Sequence, residues 1–373
     1  MKILILSQTF PLTPADSTAH FMYDFARGFK ECGHEVFVLL PYHPNLKKGQ
    51  FKGLNICTFR YIWPERLHLL GYGRTLTNDQ QLKLFTYFLA PFYFLFGFLA
   101  LLSIVKKEKI EVMNAHWLLP NGFIASIVSK ITGIPLVITL PGSDVYLVGK
   151  NAITRKMAAF AVSQSKAIVT NSPELLHDLG KYTNIYKPSL KKYTNLHTPI
   201  ISYSVPANSG RRRENNAPNL AFAGRNVEKK GLKFLQSIYP DIEIISDLPI
   251  DEFRKKLLSV DIFVAPSIRD SAGNLDDASL VVLEAMAAGC AVVTSDLPGY
   301  RMIIKNGENG LLVKPNDLKA WRGTIERLKK SNMLRQKLGS NARQTISKYF
   351  TPAKIARRYT KFFKDLSAPT FKQ

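Results

Sequence analysis

Apolar segments alternate with amphipathic ones along this chain, in the order strand, helix, strand. Lys2–Ser7 is a short run of branched apolar residues, which predicts a first strand. The apolar positions of Ala19–Glu31 recur at helical spacing, Gly33 ends that helix, and Glu35–Leu40 is apolar again. Further strands are predicted over Glu111–Ala115, Pro135–Thr139 and Ala167–Thr170, with helices over Asn121–Thr132 and Ile153–Gln164. Strands separated by helices predict a parallel sheet covered on both faces.

A second series of the same kind begins after Pro206–Pro218, a polar segment with three consecutive arginines that is typical of a linker. Its predicted strands are Asn219–Gly224, Asp241–Ser246, Asp261–Pro266, Ala291–Ser295 and Leu311–Val313. We therefore predict two Rossmann-like α/β domains, over residues 1–205 and 217–350, that face a central cleft. A last helix, within residues 351–373, has one apolar face formed by Ile355, Tyr359, Phe362, Phe363 and Leu366.

One stretch is unusually apolar. Leu84–Val105 contains no charged residue, and Lys106, Lys107 and Lys109 follow it. About 20 apolar residues are enough to span a bilayer, but Pro91 is expected to begin a helix rather than to lie inside one. We therefore predict a helix over Pro91–Glu108 that belongs to the first domain and lays an apolar face on a membrane. A fully buried core helix and a transmembrane helix are the two alternatives.

The charge balance narrows the choice of partners. The chain carries 51 Lys and Arg against 28 Asp and Glu, a formal net charge of +23. Such an excess predicts an anionic partner, either nucleic acid or acidic phospholipid. The sequence has no helix-turn-helix, zinc-finger or aromatic RNA-binding segment, so no nucleic-acid partner is predicted. Lysine clusters favour an anionic membrane surface instead: Lys47, Lys48, Lys52, Lys106, Lys107, Lys109, Lys187, Lys191 and Lys192.

Composition and cysteine usage favour a globular protein of the cytoplasm. Hydrophobic residues make up 46% of the chain and the mean hydropathy is −0.05, which argues against a polytopic membrane protein. Cys32, Cys57 and Cys290 are scattered and odd in number, so neither a disulfide framework nor a structural zinc site is predicted. The apolar part of Lys2–Ser7 is too short for a signal peptide. We expect a protein that is peripheral on the inner, cytoplasmic face of a membrane.

Two segments of the second half carry the candidate chemistry. In the first, Gly224-Arg225 follows a strand, and Lys229-Lys230-Gly231 precedes the next helix. A glycine turn with cations ahead of a helix N-terminus is suited to a diphosphate, which Arg225 and Lys230 would neutralise. Basic residues that are merely solvated in a loop are the alternative.

The second segment runs from Asp261 to Asp296 as strand, polar loop, helix and strand. Its helix is predicted over Leu280–Ala288, and Asp276 and Glu284 lie eight residues apart in the loop and in the helix. In open parallel sheets, ligands bind outside the carboxyl ends of the strands. The helix N-terminus at Ser279 and Leu280 would offer free N–H groups to a phosphate. Two carboxylates beside it suit sugar or ribose hydroxyls, so the segment predicts a nucleotide-sugar site.

These segments resemble the retaining, GT-B-fold glycosyltransferase family 4, which belongs to the glycosyl transferases group 1. The most specific similarity is Asp276 followed by Leu283-Glu284-Ala285-Met286-Ala287-Ala288-Gly289. Other similar stretches are Gly33-His34-Glu35-Val36, His116-Trp117-Leu118-Leu119-Pro120-Asn121-Gly122, Gly142-Ser143-Asp144-Val145-Tyr146-Leu147, Gly224-Arg225, Lys230-Gly231 and Asn309-Gly310-Leu311-Leu312-Val313. The resemblance covers nearly the whole chain and is weakest over Tyr182–Asn216.

The resemblance implies a GT-B fold whose C-terminal helix returns to the N-terminal domain. It also implies transfer of a sugar from a nucleoside-diphosphate donor with retention, without a metal ion or other cofactor. Arg225 and Lys230 would hold the diphosphate, Asp276 would contact the transferred sugar, and Glu284 would hold the donor ribose. Backbone groups of the donor site would come from Gly142, Gly224, Ser279 and Leu280. Cations and a helix dipole can stabilise the leaving group in place of magnesium.

Three positions depart from the family pattern. Asp276 stands where the family commonly has the longer Glu. The loop after the first strand usually carries a pair of glycines, but here it is Asp16-Ser17-Thr18. Pro141 precedes the Gly-Ser-Asp segment, where relatives often have His, and proline offers neither a polar side chain nor an N–H.

Residues near the predicted cleft in the first domain complete the candidates. His116 follows the strand Glu111–Ala115 at its carboxyl end, so we include it as a catalytic candidate; a structural hydrogen-bonding histidine is the alternative. Trp117 either stacks on an acceptor or fills the core. Asp144 either receives a hydroxyl proton or caps the following helix.

The sequence therefore predicts a membrane-associated glycosyltransferase. It would move a sugar from UDP- or GDP-sugar to a lipid-linked or polysaccharide acceptor. Two alternatives remain: a donor-binding or partner subunit with weakened catalysis, which would account for Asp276 and Pro141, and a nucleotide-sugar epimerase, which would need no acceptor.

Overall fold

Two compact units make up the chain. The computed structural model describes residues 1–72, 84–142, 145, 148, 151–183, 218–271, 273, 275–276 and 278–367. The first unit comprises Met1–Asn171, Leu175–Ile201 and Ile355–Gln373, and the second comprises Ser172–Glu174 and Ser202–Lys354. The predicted linker, the boundary between residues 205 and 217, and Lys187, Lys191 and Lys192 lie outside the described residues, apart from Pro218.

The first unit contains a parallel sheet of six strands. They are β1 (Lys2–Leu6), β2 (Glu35–Pro41), β3 (Asn55–Phe59), β4 (Val112–His116), β5 (Leu136–Leu140) and β6 (Ala167–Thr170). Their order is β3-β2-β1-β4-β5-β6. Strands β1, β2, β4, β5 and β6 are apolar and buried, as expected for strands covered on both faces. Strand β3 has no counterpart among the predicted strands, because it lies at the sheet edge, where half-exposed residues leave no continuous apolar run.

Helices connect these strands. They are α1 (His20–Glu31), α2 (Leu84–Lys107), α3 (Phe123–Thr132), α4 (Ala152–Gln164) and α5 (Pro173–Thr183). The boundaries of α1 and α4 differ from the predicted ones by one residue at the start. Helix α3 begins two residues later than predicted, because a wide turn over Leu118–Gly122 precedes it.

Helix α2 corrects the prediction that Pro91 begins a helix. The helix begins at Leu84 and continues through Pro91 to Lys107. Leu89 and Tyr93 are 3% and 2% exposed, so the turns before and after the proline are both fixed in the core. This packing compensates for the backbone hydrogen bond that an internal proline removes.

One face of α2 is buried and the opposite face is exposed. Leu101 and Val105 belong, with Leu89 and Tyr93, to the core of the first unit. The exposed apolar side chains, from 40% to 70% accessible, are Tyr87, Phe88, Phe92, Leu95, Phe96 and Leu99. The alternative of a fully buried core helix is therefore wrong. By length and composition alone, Tyr87–Lys107 could cross a membrane, a property that core helices of soluble proteins can share.

The second unit contains a parallel sheet of five strands with its own core. The strands are β7 (Leu220–Ala223), β8 (Glu243–Ile245), β9 (Ile262–Ala265), β10 (Ala291–Ser295) and β11 (Leu311–Val313). Their order is β11-β10-β9-β7-β8. The helices are α6 (Leu232–Ile238), α7 (Ile250–Leu257), α8 (Leu280–Ala288), α9 (Pro298–Arg301), α10 (Leu318–Lys330) and α11 (Asn332–Tyr349). Trp321 of α10 is fully buried in the core that Phe222, Val264 and Val293 form.

Both sheets are doubly wound, which confirms the predicted fold class. In the first, the strand order reverses between β1 and β4, and in the second between β7 and β9. Ligands of such sheets bind at this switch point, outside the carboxyl ends of the strands. The segments with the candidate residues Gly224 and Asp276 follow β7 and β9, so the topology brings them to one edge of the second sheet.

The last helix, α12 (Pro352–Ser367), packs into the first unit from Ile355 onward, as the family resemblance implies. The hydroxyl of Tyr359 lies 3.1 Å from Thr139 Oγ1. His34 Nε2 lies 2.8 Å from Thr360 Oγ1. Of the predicted apolar face, Ile355, Tyr359 and Phe363 are at most 2% exposed and form the packed part. Phe362 and Leu366 are half-buried at its border.

Candidate functional site

A glycine turn follows β7 in the second unit. Gly224 has φ +145°, a backbone conformation that residues with a side chain rarely adopt. Arg225 is exposed in the same turn. The aliphatic stem of Lys230 passes beside Gly224, with Cδ and Cε 3.6 Å from where a Cβ would lie. The turn thus leads into the start of α6, and the two candidate cations, Arg225 and Lys230, lie in or beside the turn.

Gly231 allows the segment after β7 to approach the segment after β9. It has φ +70°, and a Cβ built on it would lie 1.9 Å from the carbonyl oxygen of Pro266. The Ile268 N–H donates to the Lys229 carbonyl at 3.0 Å, which fixes the two segments together. Only glycine fits here, because any larger residue would separate the two loops.

Lys230 contacts two of the other candidate residues. Its Nζ lies 2.5 Å from Asp276 Oδ2 and donates to Ser279 Oγ at 2.8 Å. The side chains of Lys230 and Asp276 are only 14% and 21% exposed. The structure therefore brings together Lys230, Asp276 and Ser279, which the sequence places in two separate segments.

Ser279 is the N-cap residue of α8, but its hydroxyl makes no capping hydrogen bond to the helix. It binds Lys230 instead, so the ammonium group lies at the positive end of the helix dipole. Leu280 is the first residue of α8 and is half-buried. A cation and a helix N-terminus side by side attract an anion, and a phosphate is the ligand that uses both.

Local sequence and packing both hold α8 in place. Residues 282–288 are buried on every side, and Gly289 ends the helix with φ +79°. Arg343 of α11 donates from Nη2 to the Ala288 carbonyl at 2.8 Å. A cation at the helix C-terminus satisfies a terminal carbonyl and opposes the negative end of the dipole.

Glu284 forms an ion pair that the sequence did not predict. Arg254 of α7 donates from Nη2 to Glu284 Oε1 at 2.9 Å and from Nε to Oε2 at 3.2 Å. The two side chains are 18% and 11% exposed. Arg254 lies in a charged amphipathic helix, Asp251-Glu252-Phe253-Arg254-Lys255-Lys256, and nothing in that pattern distinguishes it from its basic neighbours.

The first ion pair lies at the N-terminus of α8, and the second lies one turn into the helix. Glu284 is four residues beyond Leu280, so it lies about 6 Å farther along the helix axis. Each carboxylate has its own cation, Asp276 with Lys230 and Glu284 with Arg254. The site thus offers carboxylate oxygens for hydroxyl groups beside cations for phosphates, and the charges of these two pairs are balanced.

His116 lies in the first unit and is fully buried. Neither ring nitrogen has a hydrogen-bond partner among the described residues, and the ring packs 4.8 Å from that of Phe25. Burial lowers its pKa to about 3, so the imidazole is neutral at physiological pH. The catalytic role of His116 stays a prediction, and its burial argues against direct contact with a substrate.

Trp117 and Gly142 follow strands β4 and β5 at their carboxyl ends. Trp117 is half-buried with φ +68° and ψ 138°, a conformation that is rare outside glycine. Its ring lies 6.4 Å from that of Phe21. Gly142 has φ +149°, and no atom of the described residues lies within 4 Å of the position that a Cβ would take there. Asp144 lies outside the described residues.

The residues that the structure describes include no group of three His, Cys, Asp or Glu suited to a metal ion. The expectation of metal-free chemistry stays a prediction.

Comparisons with known proteins agree on the family. A model described as Glycosyl transferase 4-like matches residues 12–172, and one described as Glycosyl transferases group 1 matches residues 169–345. The N-acetyl-alpha-D-glucosaminyl L-malate synthase of Bacillus anthracis is 21% identical over 299 residues, which cover 71% of this chain and 77% of that protein. The capsular polysaccharide biosynthesis glycosyltransferase CapM of Staphylococcus aureus is 30% identical over 168 residues, 44% of this chain and 41% of its own.

Among solved structures, HepE of Anabaena in complex with UDP and glucose superposes with a TM-score of 0.60 at 15% identity. The match covers 98% of this chain and 100% of that one. The likeness supports the GT-B fold that the two doubly wound sheets indicate. Together the two family models match residues 12–345, so the chain belongs to the glycosyl transferases group 1.

Proposed function

We propose that this glycosyltransferase moves a hexose, with retention, from UDP- or GDP-sugar to a lipid-linked or polysaccharide acceptor at a membrane surface. The observation that carries the donor part is the position of Lys230, bound to Asp276 and Ser279 at the N-terminus of α8. One turn farther along, Glu284 presents a second carboxylate. This arrangement matches a ligand with two phosphates, a ribose and a sugar.

The reaction needs a stabilised leaving group. The bond between the sugar C1 and the phosphate oxygen breaks, and a bond from C1 to an acceptor hydroxyl oxygen forms. The departing nucleoside diphosphate gains negative charge, and one of its phosphate oxygens takes up the hydroxyl proton. Lys230, Arg225 and the N-terminus of α8 would stabilise that charge without a metal ion. Lys230 would then exchange its contact with Asp276 for one with phosphate, which leaves Asp276 to accept from a sugar hydroxyl.

Relatives support the classes of donor and acceptor. HepE was solved with UDP and glucose, and CapM is named for capsular polysaccharide biosynthesis. A phosphatidyl-myo-inositol mannosyltransferase of Mycobacterium leprae is 32% identical over 91 residues, 24% of this chain. We infer from these names a sugar nucleotide as donor and a glycan or a lipid-linked molecule as acceptor.

The donor proposal is tested by thermal shift with UDP, GDP and their sugars, because a bound ligand raises the melting temperature by mass action. Lys230→Gln should reduce the shift strongly, since it removes the cation beside the phosphates. Lys233→Gln, an exposed lysine three residues later, is the matched control and should leave the shift unchanged. If no nucleoside diphosphate shifts the wild-type protein, the donor site is wrong.

Turnover separates the proposal from its two alternatives. Release of UDP or GDP that depends on an acceptor supports transfer. A donor-binding or partner subunit would bind the nucleotide and never release it from a sugar donor. An epimerase would convert the donor sugar with no acceptor present. The anomeric configuration of the product, measured by proton NMR coupling constants, checks retention.

The exposed face of α2 supports the membrane part of the proposal. Its apolar side chains run from Tyr87 to Leu99, a stripe about 18 Å long. Lys106 and Lys107 are exposed just beyond it, and Lys48 donates to Thr58 Oγ1 on the neighbouring strand β3. Each lysine near an anionic surface contributes about 1 kcal/mol. The stripe would enter the headgroup region while the lysines contact acidic lipid.

The location of these lysines supports a membrane-binding surface more strongly than the total charge of the chain does. Residues 1–205 carry 22 Lys and Arg against 11 Asp and Glu, and residues 206–373 carry 29 against 17. The excess is therefore nearly equal in the two parts of the chain. What distinguishes α2 is the combination of exposed aromatic and aliphatic residues with adjacent cations.

Co-sedimentation with vesicles tests this surface. Binding should require acidic phospholipid and should weaken as salt is raised. Leu95→Glu, at the centre of the stripe, should abolish it. Met333→Glu places the same charge on an exposed apolar residue of the second unit, 82% accessible, and should have no effect. Binding that is indifferent to acidic lipid, or unchanged by Leu95→Glu, contradicts the proposed orientation on the inner face of a membrane.

A further inference from the structure

Arg254 and Glu284 form a bidentate ion pair whose role the donor proposal does not explain. The guanidinium donates one hydrogen bond to each carboxylate oxygen, at 2.9 and 3.2 Å. Both side chains are largely buried, at 18% and 11% exposure. A buried pair of this kind is held in one orientation, whereas an exposed lysine pair has many.

We propose that Arg254 is a positioning residue: it orients the Glu284 carboxylate so that the site prefers ribonucleotides over 2′-deoxyribonucleotides. This inference rests on the proposed donor site. Its chemical basis is the capacity of a carboxylate to accept hydrogen bonds. Two carboxylate oxygens offer about four lone pairs, and the two bonds from Arg254 fix the plane in which the carboxylate lies.

A carboxylate held in this plane suits two adjacent hydroxyl groups. The 2′- and 3′-hydroxyls of a ribose are such a pair, and a 2′-deoxyribose has only one of them. Glu284 would accept from both hydroxyls when the donor binds, and Arg254 would keep the carboxylate in the orientation that allows it. Loss of the 2′-hydroxyl removes one donor from a largely buried acceptor, which is the condition under which polar sites discriminate most.

Arg254 also balances the charge of the site. Asp276 and Glu284 both lie near the place proposed for a diphosphate, and two uncompensated carboxylates would repel it. Lys230 pairs with the first and Arg254 with the second. A lysine at position 254 would supply the positive charge but not the fixed bidentate hydrogen bonding, because an ammonium is a point charge on a flexible stem.

The same helix offers a matched control. Lys256 of α7 forms an ion pair with Glu243 of β8, and both side chains are about 40% exposed. Lys256→Met removes a cation two residues from Arg254 without touching Glu284. Any general effect of lowering the positive charge of α7 would appear in this variant too.

The experiment measures, by isothermal titration calorimetry, the binding of UDP and 2′-deoxy-UDP, and of GDP and 2′-deoxy-GDP. The wild-type protein should prefer the ribonucleotide by about tenfold or more, since loss of a hydrogen bond to a charged group weakens binding by at least about that factor. Arg254→Met should weaken ribonucleotide binding about tenfold while 2′-deoxyribonucleotide binding changes little, so that the preference disappears. Glu284→Gln should give the same pattern, and adding Arg254→Met to it should have little further effect. Lys256→Met should bind both ligands as the wild type does.

Three results would overturn the inference. Equal weakening of ribo- and deoxyribonucleotide binding by Arg254→Met would mean that Arg254 acts only through its charge. Unchanged preference in that variant would mean that Glu284 needs no positioning. Binding of nucleotide without any ribose preference in the wild type would also refute it, while the donor site itself would stand. If the wild type binds no nucleotide at all, the donor proposal fails together with this one. Arg254→Lys keeps the charge and loses the bidentate hydrogen bonding, so it gives the same test where Arg254→Met does not fold.

Discussion

Replacing Gly231 by alanine should damage the second unit far more than the same change at another left-handed glycine. Gly231 has φ +70° and its added Cβ would meet the Pro266 carbonyl oxygen at 1.9 Å. Gly307 has φ +80° in the same unit, and its Cβ would meet no atom of the described residues within 4 Å. Both N–H groups are hydrogen-bonded, to the Glu228 and Gly310 carbonyls at 2.9 Å. Comparison of the two alanine variants therefore separates the free-energy cost of the steric overlap from that of the left-handed backbone conformation.

The left-handed conformation costs each alanine variant about 1–2 kcal/mol. The overlap at Gly231 requires the Pro266 carbonyl to move by roughly 1.5 Å to reach ordinary contact, and overpacking of this kind costs about 1–3 kcal/mol. That carbonyl cannot move freely, since Ile268 N–H holds the same segment to Lys229 O at 3.0 Å. We expect a free energy of unfolding lower by about 3 kcal/mol for Gly231→Ala and by about 1 kcal/mol for Gly307→Ala.

Fluorescence of Trp321 during urea unfolding provides the assay. Trp321 is the one tryptophan of the sequence between residues 202 and 354, so a Trp63→Phe, Trp117→Phe background reports the second unit alone. Gly231→Ala should also weaken UDP or GDP binding at urea concentrations where it is folded, because Lys230 precedes the displaced residue. Losses of stability that agree within about 0.5 kcal/mol for the two variants would refute the argument from overlap.

Two other predictions concern groups outside the donor contacts. The pKa of His116 is about 3 in the folded chain and 6.5 in the unfolded chain, so between these values only the unfolded chain binds a proton on this ring. The free energy of unfolding should therefore fall by up to about 1.4 kcal/mol per pH unit as the pH drops below 6.5. His116→Phe should flatten that decline in urea titrations at pH 7, 6 and 5, and the exposed His177→Gln should not; an unaltered decline in His116→Phe would assign it to other groups. Arg343→Met keeps the stem but removes the donor and charge at the Ala288 carbonyl, so urea unfolding should show a loss of about 1–2 kcal/mol, and no measurable loss would contradict that capping role.

Elements with strong local signals could be located from the sequence alone. Helix α8 and strands β6, β10 and β11 have the predicted boundaries. Each is a short apolar segment bounded by a glycine, a polar turn or a helix end, so local propensity and burial favour the same structure. Strand β3 and the first two turns of α2 were missed for the opposite reason. In β3 the apolar signal is weak, and in α2 the packing of Leu89 and Tyr93 overrides the usual effect of Pro91.

Some residues of the candidate site could likewise be recognised from the sequence, and others could not. Gly224, Lys230 and Asp276 were recognisable because their residue types, and their order after two parallel strands, indicate a phosphate and sugar site. Lys230 meets Asp276 and Ser279 because β7 and β9 are adjacent strands that end at the same edge of the sheet. Arg254 could not be recognised, because its partner Glu284 is thirty residues away and its helix carries two other basic residues.

Local sequence thus determined the α/β rhythm of this protein, its two parallel sheets and the types of side chain available for a nucleotide sugar. Tertiary structure decided which charges pair, which face of α2 stays exposed, and that His116 is enclosed rather than open to a ligand. The physical reason is the separation along the sequence over which each interaction acts. Periodicity and turn chemistry act over a few neighbouring residues, whereas burial and ion pairing depend on segments that only the folded sheet order brings together.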